Sequence, residues 1–337
     1  MKRAALGAAA AAAASALAAT PAHATLAYVK GALAGKPVLW VATDDGSGAR
    51  PFAKGGQNPK VSPDGTQVAF ITGTRKASLK VKPAAGGPTR TLATNVWNYD
   101  AVQWAPDGSM LSVTTGKELG PYSLRLIEVA TGSSRYLSKG YFYGVSFAPA
   151  GQGVVWSRAF TASYPIKANL YTATLGGDAI DRITSEQNAT SPVWGPERIA
   201  FNRSRKASKR GDYDKLDIYT VEPGGANVVR LTTTRVPFLL AGLSPLAWSQ
   251  DGRRIAAQYS GQDTSEAWRV NAESGRATDA TAKFDGVVGW GLSRDGTALL
   301  ATTGYFDNPN GNVVAIAWDG GAQTVLATKA TQPNWSR

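Results

Sequence analysis

Short stretches of alternating apolar and polar residues recur along the chain, and turn-forming residues separate them. Two of these stretches, QVAFIT from Gln67 and MLSVTT from Met110, begin shortly after a Pro-Asp-Gly triplet. An alternation with a period of two is typical of a half-buried β-strand. Proline presets φ and glycine accepts a positive φ, so the triplet is typical of a tight turn. The pattern predicts one strand, a tight turn and a second strand.

The same motif recurs every 43 to 54 residues. It consists of a large apolar residue, a small residue, and Pro-Asp-Gly or a degenerate form of it. The large apolar residues, which we call anchors, are Val61, Trp104, Phe147, Trp194, Trp248, Leu292 and Trp335. Each unit also contains a second signal, a strand, a Gly-rich turn and another strand, as in LKVKPAAGGPTRTLA from Leu79. Two independent signals with one period predict a repeat of four strands.

The two ends of the chain carry complementary parts of one such unit. Residues 26–31 and the first Gly-rich hairpin lack the first strand of a unit, whereas QPNWSR at the end supplies a first strand alone. We therefore predict an all-β fold in which residues 25–337 form a single β-propeller domain. It would have seven four-stranded blades closed by strands from both termini, because ring closure leaves no long sheet edge unpaired. Six blades are the alternative.

The segment WSQDGRRIAAQYSG from Trp248 and its sibling motifs resemble the repeats of TolB-like, WD-like β-propellers of bacterial envelopes. Similar repeats form the propeller of prolyl-oligopeptidase-like enzymes. The resemblance covers nearly all of the chain after residue 24, and it implies a fold and an envelope location rather than an active site. TolB-type proteins carry an α/β domain before a propeller usually described as six-bladed. Because the repeats occupy nearly all of the residues after 24, we expect neither that domain nor a hydrolase domain in this chain.

The first 24 residues have the composition of a secretory signal peptide. Lys2 and Arg3 precede an Ala-rich apolar run, and Ala22-His23-Ala24 matches a signal peptidase site. We expect cleavage after Ala24 and an exported protein that is secreted or associated with the cell envelope. A membrane anchor is the alternative. No later stretch has the roughly 20 apolar residues of a spanning helix, so we expect no transmembrane segment in the mature chain.

Two chemically versatile residue types are missing after residue 24. The chain has no Cys, and its single His is His23. A disulfide, a Ser-His-Asp triad and a His-ligated zinc site are therefore excluded for the mature chain. We predict a non-catalytic protein without a cofactor or metal. The alternative is a glycan-acting hydrolase or lyase that uses carboxylates and tyrosines near the central channel, with Asp100, Asp285 and Asp307 as candidates.

The net charge favours acidic partners. It is +12 for the whole chain, and loss of Lys2 and Arg3 with the signal leaves +10. The loops opposite the Pro-Asp-Gly turns vary between units and are rich in aromatic residues, and we call this side the variable face. Variable loops on a rigid scaffold are where binding residues are usually found. We expect a monomer that binds an envelope protein or an anionic cell-wall glycopolymer there.

One loop of the variable face is strongly basic. Residues 202–215, NRSRKASKRGDYDK, could hold an anionic polymer through charge-assisted hydrogen bonds, or could be a solvated loop. No RNA or DNA motif accompanies this loop, which disfavours nucleic acid as the partner. The aromatic residues could instead fill the blade interfaces. The predicted binding residues are Trp97, Tyr99, Tyr141, Tyr143, Arg205, Lys206, Lys209 and Arg210.

Overall fold

A computed structural model describes residues 25–337 except 98, 178, 207–211, 263, 282–285, 305–310, 321 and 337. Apart from one 3-10 turn at Tyr99–Ala101, all regular structure in these residues is β-strand. The prediction of an all-β fold is confirmed. Among the same residues, no helix has the length and apolar character needed to cross a membrane.

The strands are short, as expected from the spacing of the turn residues. The strands of the first half are β1 (Thr25–Lys30), β2 (Val38–Thr43), β3 (Arg50–Lys54), β4 (Gly56–Val61), β5 (Gln67–Thr72), β6 (Ser78–Pro83), β7 (Arg90–Thr94), β8 (Val96–Trp97), β9 (Gln103–Trp104), β10 (Met110–Thr115), β11 (Tyr122–Glu128), β12 (Ser134–Phe147), β13 (Gly153–Ala159) and β14 (Ala168–Thr174). The strands of the second half are β15 (Ile180–Arg182), β16 (Ala189–Trp194), β17 (Ile199–Arg205), β18 (Lys215–Val221), β19 (Val229–Arg230), β20 (Leu240–Trp248), β21 (Arg254–Gly261), β22 (Ser265–Asn271), β23 (Ala277–Asp279), β24 (Val287–Leu292), β25 (Ala298–Thr303), β26 (Val313–Ala317), β27 (Gln323–Ala327) and β28 (Thr331–Trp335).

Consecutive strands pair into antiparallel sheets. Strands β4 to β7 and β24 to β27 each form a four-stranded sheet in sequence order. Another four-stranded sheet has the order β28-β1-β2-β3, and in it Leu26 lies opposite Trp335 and Ala27 opposite Asn334. The strand nearest the end of the chain therefore pairs with the first described strand.

The remaining strands form two eight-stranded sheets. In the first, β12 pairs with two strands: its first half pairs with β11 and its second half with β13. In the second, β18 and β20 run parallel and meet at one residue pair, Leu216 opposite Gly242. Both connections join four strands of one repeat to four strands of the next.

Each anchor is the last residue of a strand. The strands that end at anchors, which we call anchor strands, are β4, β9, β12, β16, β20, β24 and β28. The turn after β4 shows why. Gly65 has a φ of 73° and donates its N–H to the carbonyl of Ser62, and the Asp64 carboxylate accepts hydrogen bonds from Ser62 and Thr66. These bonds turn the chain sharply, so the anchor strand ends and the next strand begins.

Hydrophobic clusters between successive repeats make up the core. One of them joins Ile71 and Leu79 of one sheet to Val96 and Leu111 of the next. A cluster of the same kind joins the last complete repeat to the first strands, with Leu300 packed in the same group as Leu26. Each sheet is therefore buried against its neighbours, and its side chains alternate between the two contacts.

Candidate binding surfaces

A cavity of about 360 Å³ lies where the anchor strands end. Every repeat contributes to its lining, through Val61, Trp104, Pro149, Trp194, Trp248, Leu292 and Trp335. The anchor strands therefore converge with the same polarity. We call the side where they end the turn side, and the variable face is the side where they begin.

Two of the anchor tryptophans bind the neighbouring repeat. The indole Nε1 of Trp104 donates a hydrogen bond to the carbonyl of Lys60 at 2.8 Å, and that of Trp248 donates to Val193 at 3.0 Å. These bonds hold the rings in place at the wall of the cavity. Sequence reasoning identified these tryptophans as repeat markers and missed that they line a common cavity.

The charged groups of this cavity are basic. Lys60 and Arg294 line it, and its described lining residues include no Asp or Glu. Burial lowers the pKa of Lys60, and the charge of Asp100 opposes that effect. Acid and base catalysis of glycoside cleavage needs two carboxylates that flank the substrate. The described lining of this cavity does not bring two carboxylates together. Of the other candidate carboxylates, Asp285 and Asp307 lie outside the described residues.

On the variable face, the structure brings together Trp97 and Tyr141 through a third ring, Tyr122. The rings of Trp97 and Tyr122 are stacked with centroids 6.3 Å apart, and Tyr122 meets Tyr141 edge to face at 6.1 Å. Trp97 Nε1 donates a hydrogen bond to the carbonyl of Gly116 at 3.1 Å. Burial, then Tyr141 and Glu118, raise the pKa of Tyr122. We call Trp97, Tyr122 and Tyr141 the aromatic cluster.

The other two predicted aromatic residues differ in role. Tyr143 is half-buried, and burial, followed by the charge interaction with Tyr141, raises its pKa. It lies two residues after Tyr141 in β12. Tyr99 instead packs against the hydrophobic cluster that contains Val96 and Val102. Tyr99 thus matches the alternative interpretation, in which the aromatic residues fill the blade interfaces.

Two aromatic side chains of the variable face are far more exposed than those we predicted. Phe160 and Tyr164 are 68% and 76% exposed, respectively, in the loop between β13 and β14. The Arg158 guanidinium lies over the Phe160 ring, 4.2 Å from its centroid. Desolvation, and then the charge of Asp214 and a hydrogen bond with it, raise the pKa of Tyr164. The aromatic and basic composition of residues 158–167 was the signal for this loop.

Ion pairs within the chain partly neutralise the basic loop of residues 202–215. Arg205 Nε lies 2.7 Å from Asp217 Oδ2, and Arg230 lies 3.1 Å from the same oxygen of this 1% exposed carboxylate. Lys215 is buried, pairs with Asp212 at 2.7 Å, and donates to backbone carbonyls of the next repeat. Lys206 is exposed. Lys209 and Arg210 lie outside the described residues, so their predicted role stays a prediction.

Solved structures with the same architecture are numerous. TolB from Acinetobacter baumannii matches over 89% of this chain and 79% of its own, with a TM-score of 0.55 and 15% identity. The β-propeller domain of the trilobed protease from Pyrococcus furiosus matches over 87% and 90%, with a TM-score of 0.64 and 10% identity. The chain is a β-propeller. The resemblance to TolB-like propellers is thereby confirmed at the level of the fold.

Other comparisons add little about activity. An oligogalacturonate lyase in complex with manganese matches over 80% of this propeller and 76% of its own chain, with a TM-score of 0.58 and 14% identity. No family model and no curated protein matches. Identities this low show the fold alone. In the described part of the propeller, no group of three His, Cys, Asp or Glu side chains could hold a metal ion.

The charges of the propeller differ between its two sides. Exposed cations on the variable face are Lys36, Arg75, Lys76, Lys117, Lys139, Lys167, Lys206, Arg235 and Lys329. Several carboxylates on this side already have partners: Glu186 pairs with Arg203, and Asp212 with Lys215. On the turn side, Asp64, Asp107 and Asp251 accept hydrogen bonds within their own turns. The variable face therefore presents an excess of positive charge to solvent.

Proposed function

We propose that this propeller is a non-catalytic module that binds an anionic cell-wall glycopolymer through its variable face. The observation that carries the proposal is the set of exposed cations on the variable face, two of which lie near the aromatic cluster. These cations form no salt bridge within the described residues. A polymer with regularly spaced anions can contact many of them at once, which a compact anion cannot do.

Two of the exposed cations, Lys117 and Lys139, lie near the aromatic cluster. In the pairing of β11 with β12, Tyr122 lies opposite Gly140 and Ser123 opposite Lys139. Lys117 directly follows Gly116, whose carbonyl accepts the hydrogen bond from Trp97. Aromatic rings provide contact area for the apolar faces of sugar units at a low cost in side-chain entropy. The lysines beside them would pair with phosphate or carboxylate groups.

An envelope protein remains the second class of partner to be distinguished by experiment, because tyrosine and tryptophan also serve protein interfaces. The spread of the cations over several repeats favours the polymer. The glycan hydrolase or lyase alternative has less support, because the described lining of the cavity where the anchor strands end holds no carboxylate.

The test compares two variants with equal changes in charge. The first, Lys117→Ser, Lys139→Ser and Lys206→Ser, alters the variable face. The second, Arg182→Ser, Arg253→Ser and Arg276→Ser, which we call the turn-side variant, alters two exposed arginines of the turn side and one exposed arginine opposite the middle of β14. Arg205 stays unchanged because it pairs with the buried Asp217. The probes are a poly(glycerol phosphate) polymer, a polyuronate and neutral dextran, titrated at low and high salt.

We expect the polyanions to bind and dextran not to bind. The variable-face variant should lose affinity at least tenfold and show a weaker salt dependence, whereas the turn-side variant should resemble the wild type. An equal loss in both variants would indicate binding through net charge alone. If neither polyanion binds, the proposal of a polymer partner is wrong. Capture of one envelope protein that depends on the same lysines would instead identify a protein partner.

We also propose seven blades closed by pairing of β28 with β1. Seven anchor strands end at one cavity, and hydrophobic clusters link each repeat to the next and the last to the first. A six-bladed ring would leave one repeat unit without a place beside this cavity. An experimentally determined structure would test the number of blades directly.

Export is part of the same proposal. Residues 1–24 lie outside the described residues, and the first described strand begins at Thr25. Amino-terminal sequencing of protein recovered outside the cytoplasm tests this directly. We expect Thr25 as the first residue, and an unprocessed Met1 in the cytoplasm would contradict it.

A further inference from the structure

We propose that the cavity on the turn side binds a small organic anion, a carboxylate carried on an apolar, preferably aromatic, body. This site is separate from the variable face and does not depend on the polymer proposal. Its volume of about 360 Å³ is within the range of small-molecule sites.

The charge of the cavity favours an anionic ligand. Lys60 and Arg294 line it, and neither forms a salt bridge with a described residue. Asp100 attracts Lys60 without pairing with it, and its own backbone carbonyl accepts a hydrogen bond from Gln103. A cation that lies partly out of water is favoured by a nearby anion, so a bound carboxylate would supply the missing opposite charge.

The wall of the cavity favours a ligand with an apolar body. Trp104 and Trp248 are partly exposed, and their indole nitrogens are already bonded to backbone carbonyls. Their rings are therefore held in one orientation. Pro63, Pro149 and Pro196 add further apolar surface. A ligand that buries an apolar body against these groups would gain free energy from the area removed from water.

The side chain of Asn334 adds a hydrogen-bond donor to the cavity. The side-chain oxygen of Asn334 accepts a hydrogen bond from the N–H of Val61 at 2.7 Å. Its amide nitrogen has no partner among the described residues and is a further donor in the lining of the cavity. The cavity thus combines donors and positive charge with apolar walls, which matches a carboxylate better than a cation or a neutral polyol.

The experiment measures the binding of phenylacetate and of its neutral analogue phenylacetamide, by tryptophan fluorescence and by calorimetry. We expect saturable binding of phenylacetate, and binding of the amide at least tenfold weaker. Lys60→Met and Arg294→Gln should each weaken phenylacetate about tenfold while leaving the amide unchanged. Lys60→Arg should retain binding. The control Lys329→Met removes an exposed lysine from the variable face and should have no effect.

Three results would overturn the proposal: equal affinity for the acid and the amide, affinity unchanged in both Lys60→Met and Arg294→Gln, or no saturable binding of phenylacetate. Thermal unfolding of each variant identifies any that fail to fold. Arg294 is exposed, so its variant keeps the test decisive if Lys60→Met is unstable. The triple lysine variant of the variable face should bind phenylacetate normally, which separates this proposal from the polymer one.

Discussion

The indole nitrogen of Trp248 donates a hydrogen bond to the backbone carbonyl of Val193 in the preceding repeat, at a distance of 3.0 Å. The ring of Trp248 also lies over Gly195, so that a Cβ at Gly195 would come within 2.6 Å of its atom Cδ2. One side chain thus binds and packs against the neighbouring anchor region. Trp104 makes the equivalent bond to Lys60.

Removing this hydrogen bond should lower the stability of the propeller measurably. Trp248→Phe keeps an aromatic ring but leaves the Val193 carbonyl without its donor, and we expect a loss of about 1–2 kcal/mol in the free energy of unfolding. Urea unfolding measures it. The control is Trp40→Phe, because the Trp40 nitrogen has no hydrogen bond to a described residue. Equal losses in both variants would mean that ring size, not the bond, matters.

Adding a methyl group under the same ring should also be unfavourable. Gly195→Ala forces Trp248 or the backbone to move, and we expect a cost of about 1–3 kcal/mol. Gly224→Ala is the matched control, because its added Cβ would meet nothing within 4 Å. Combining Gly195→Ala with Trp248→Leu should cost less than the sum of the two changes, since the smaller side chain leaves room. Strict additivity would contradict the contact.

One Gly-rich turn should contribute to acid sensitivity. The hydroxyl of Thr43, followed by the N–H and hydroxyl of Ser47, lowers the pKa of Asp45 to about 2. The folded state therefore favours the carboxylate, and its stabilising effect is present above the unfolded pKa of about 4 and disappears as the pH falls through about 2. Asp45→Asn should flatten the loss of stability between these two pH values.

The neighbouring carboxylate provides the control for this measurement. Asp44→Asn changes the same formal charge, and the Asp44 side chain has no hydrogen bond to a described residue. Thermal unfolding is followed from pH 5 to pH 2 for the wild type and both variants. If Asp44→Asn flattens the profile as much as Asp45→Asn, the hydrogen bonds of the turn are not the cause.

The strand at the end of the chain should contribute strongly to stability. β28 pairs with β1, and the side chains of Gln332 and Asn334 accept hydrogen bonds from the N–H groups of Asn58 and Val61. Deletion of residues 331–337 should lower the melting temperature by at least about 10 °C, because it removes several of these bonds and exposes the adjoining core. Supplying the deleted segment as a peptide should restore part of the loss. An unchanged melting temperature would contradict closure by this strand.

The sequence alone determined the strands and turns of this protein. Alternation with a period of two and Pro-Asp-Gly turns depend on neighbouring residues, so the anchors Val61 and Trp194 could be placed at the ends of strands without tertiary information. The repeat spacing also predicted the propeller, since equal units bury their faces only by packing side by side. Aromatic loops on the variable face followed from composition.

Only the tertiary structure decided which side chains meet. Lys60 and Arg294 share a cavity although they are far apart in the chain, because the ends of the anchor strands converge there. Tyr122 joins Trp97 to Tyr141 across adjacent strands, and Asp217 pairs with Arg205 across the β17–β18 pairing. Contacts of this kind depend on the register and direction of strands in space. Local sequence patterns determine where a strand begins and ends but not which side chain lies opposite a given residue in the next repeat.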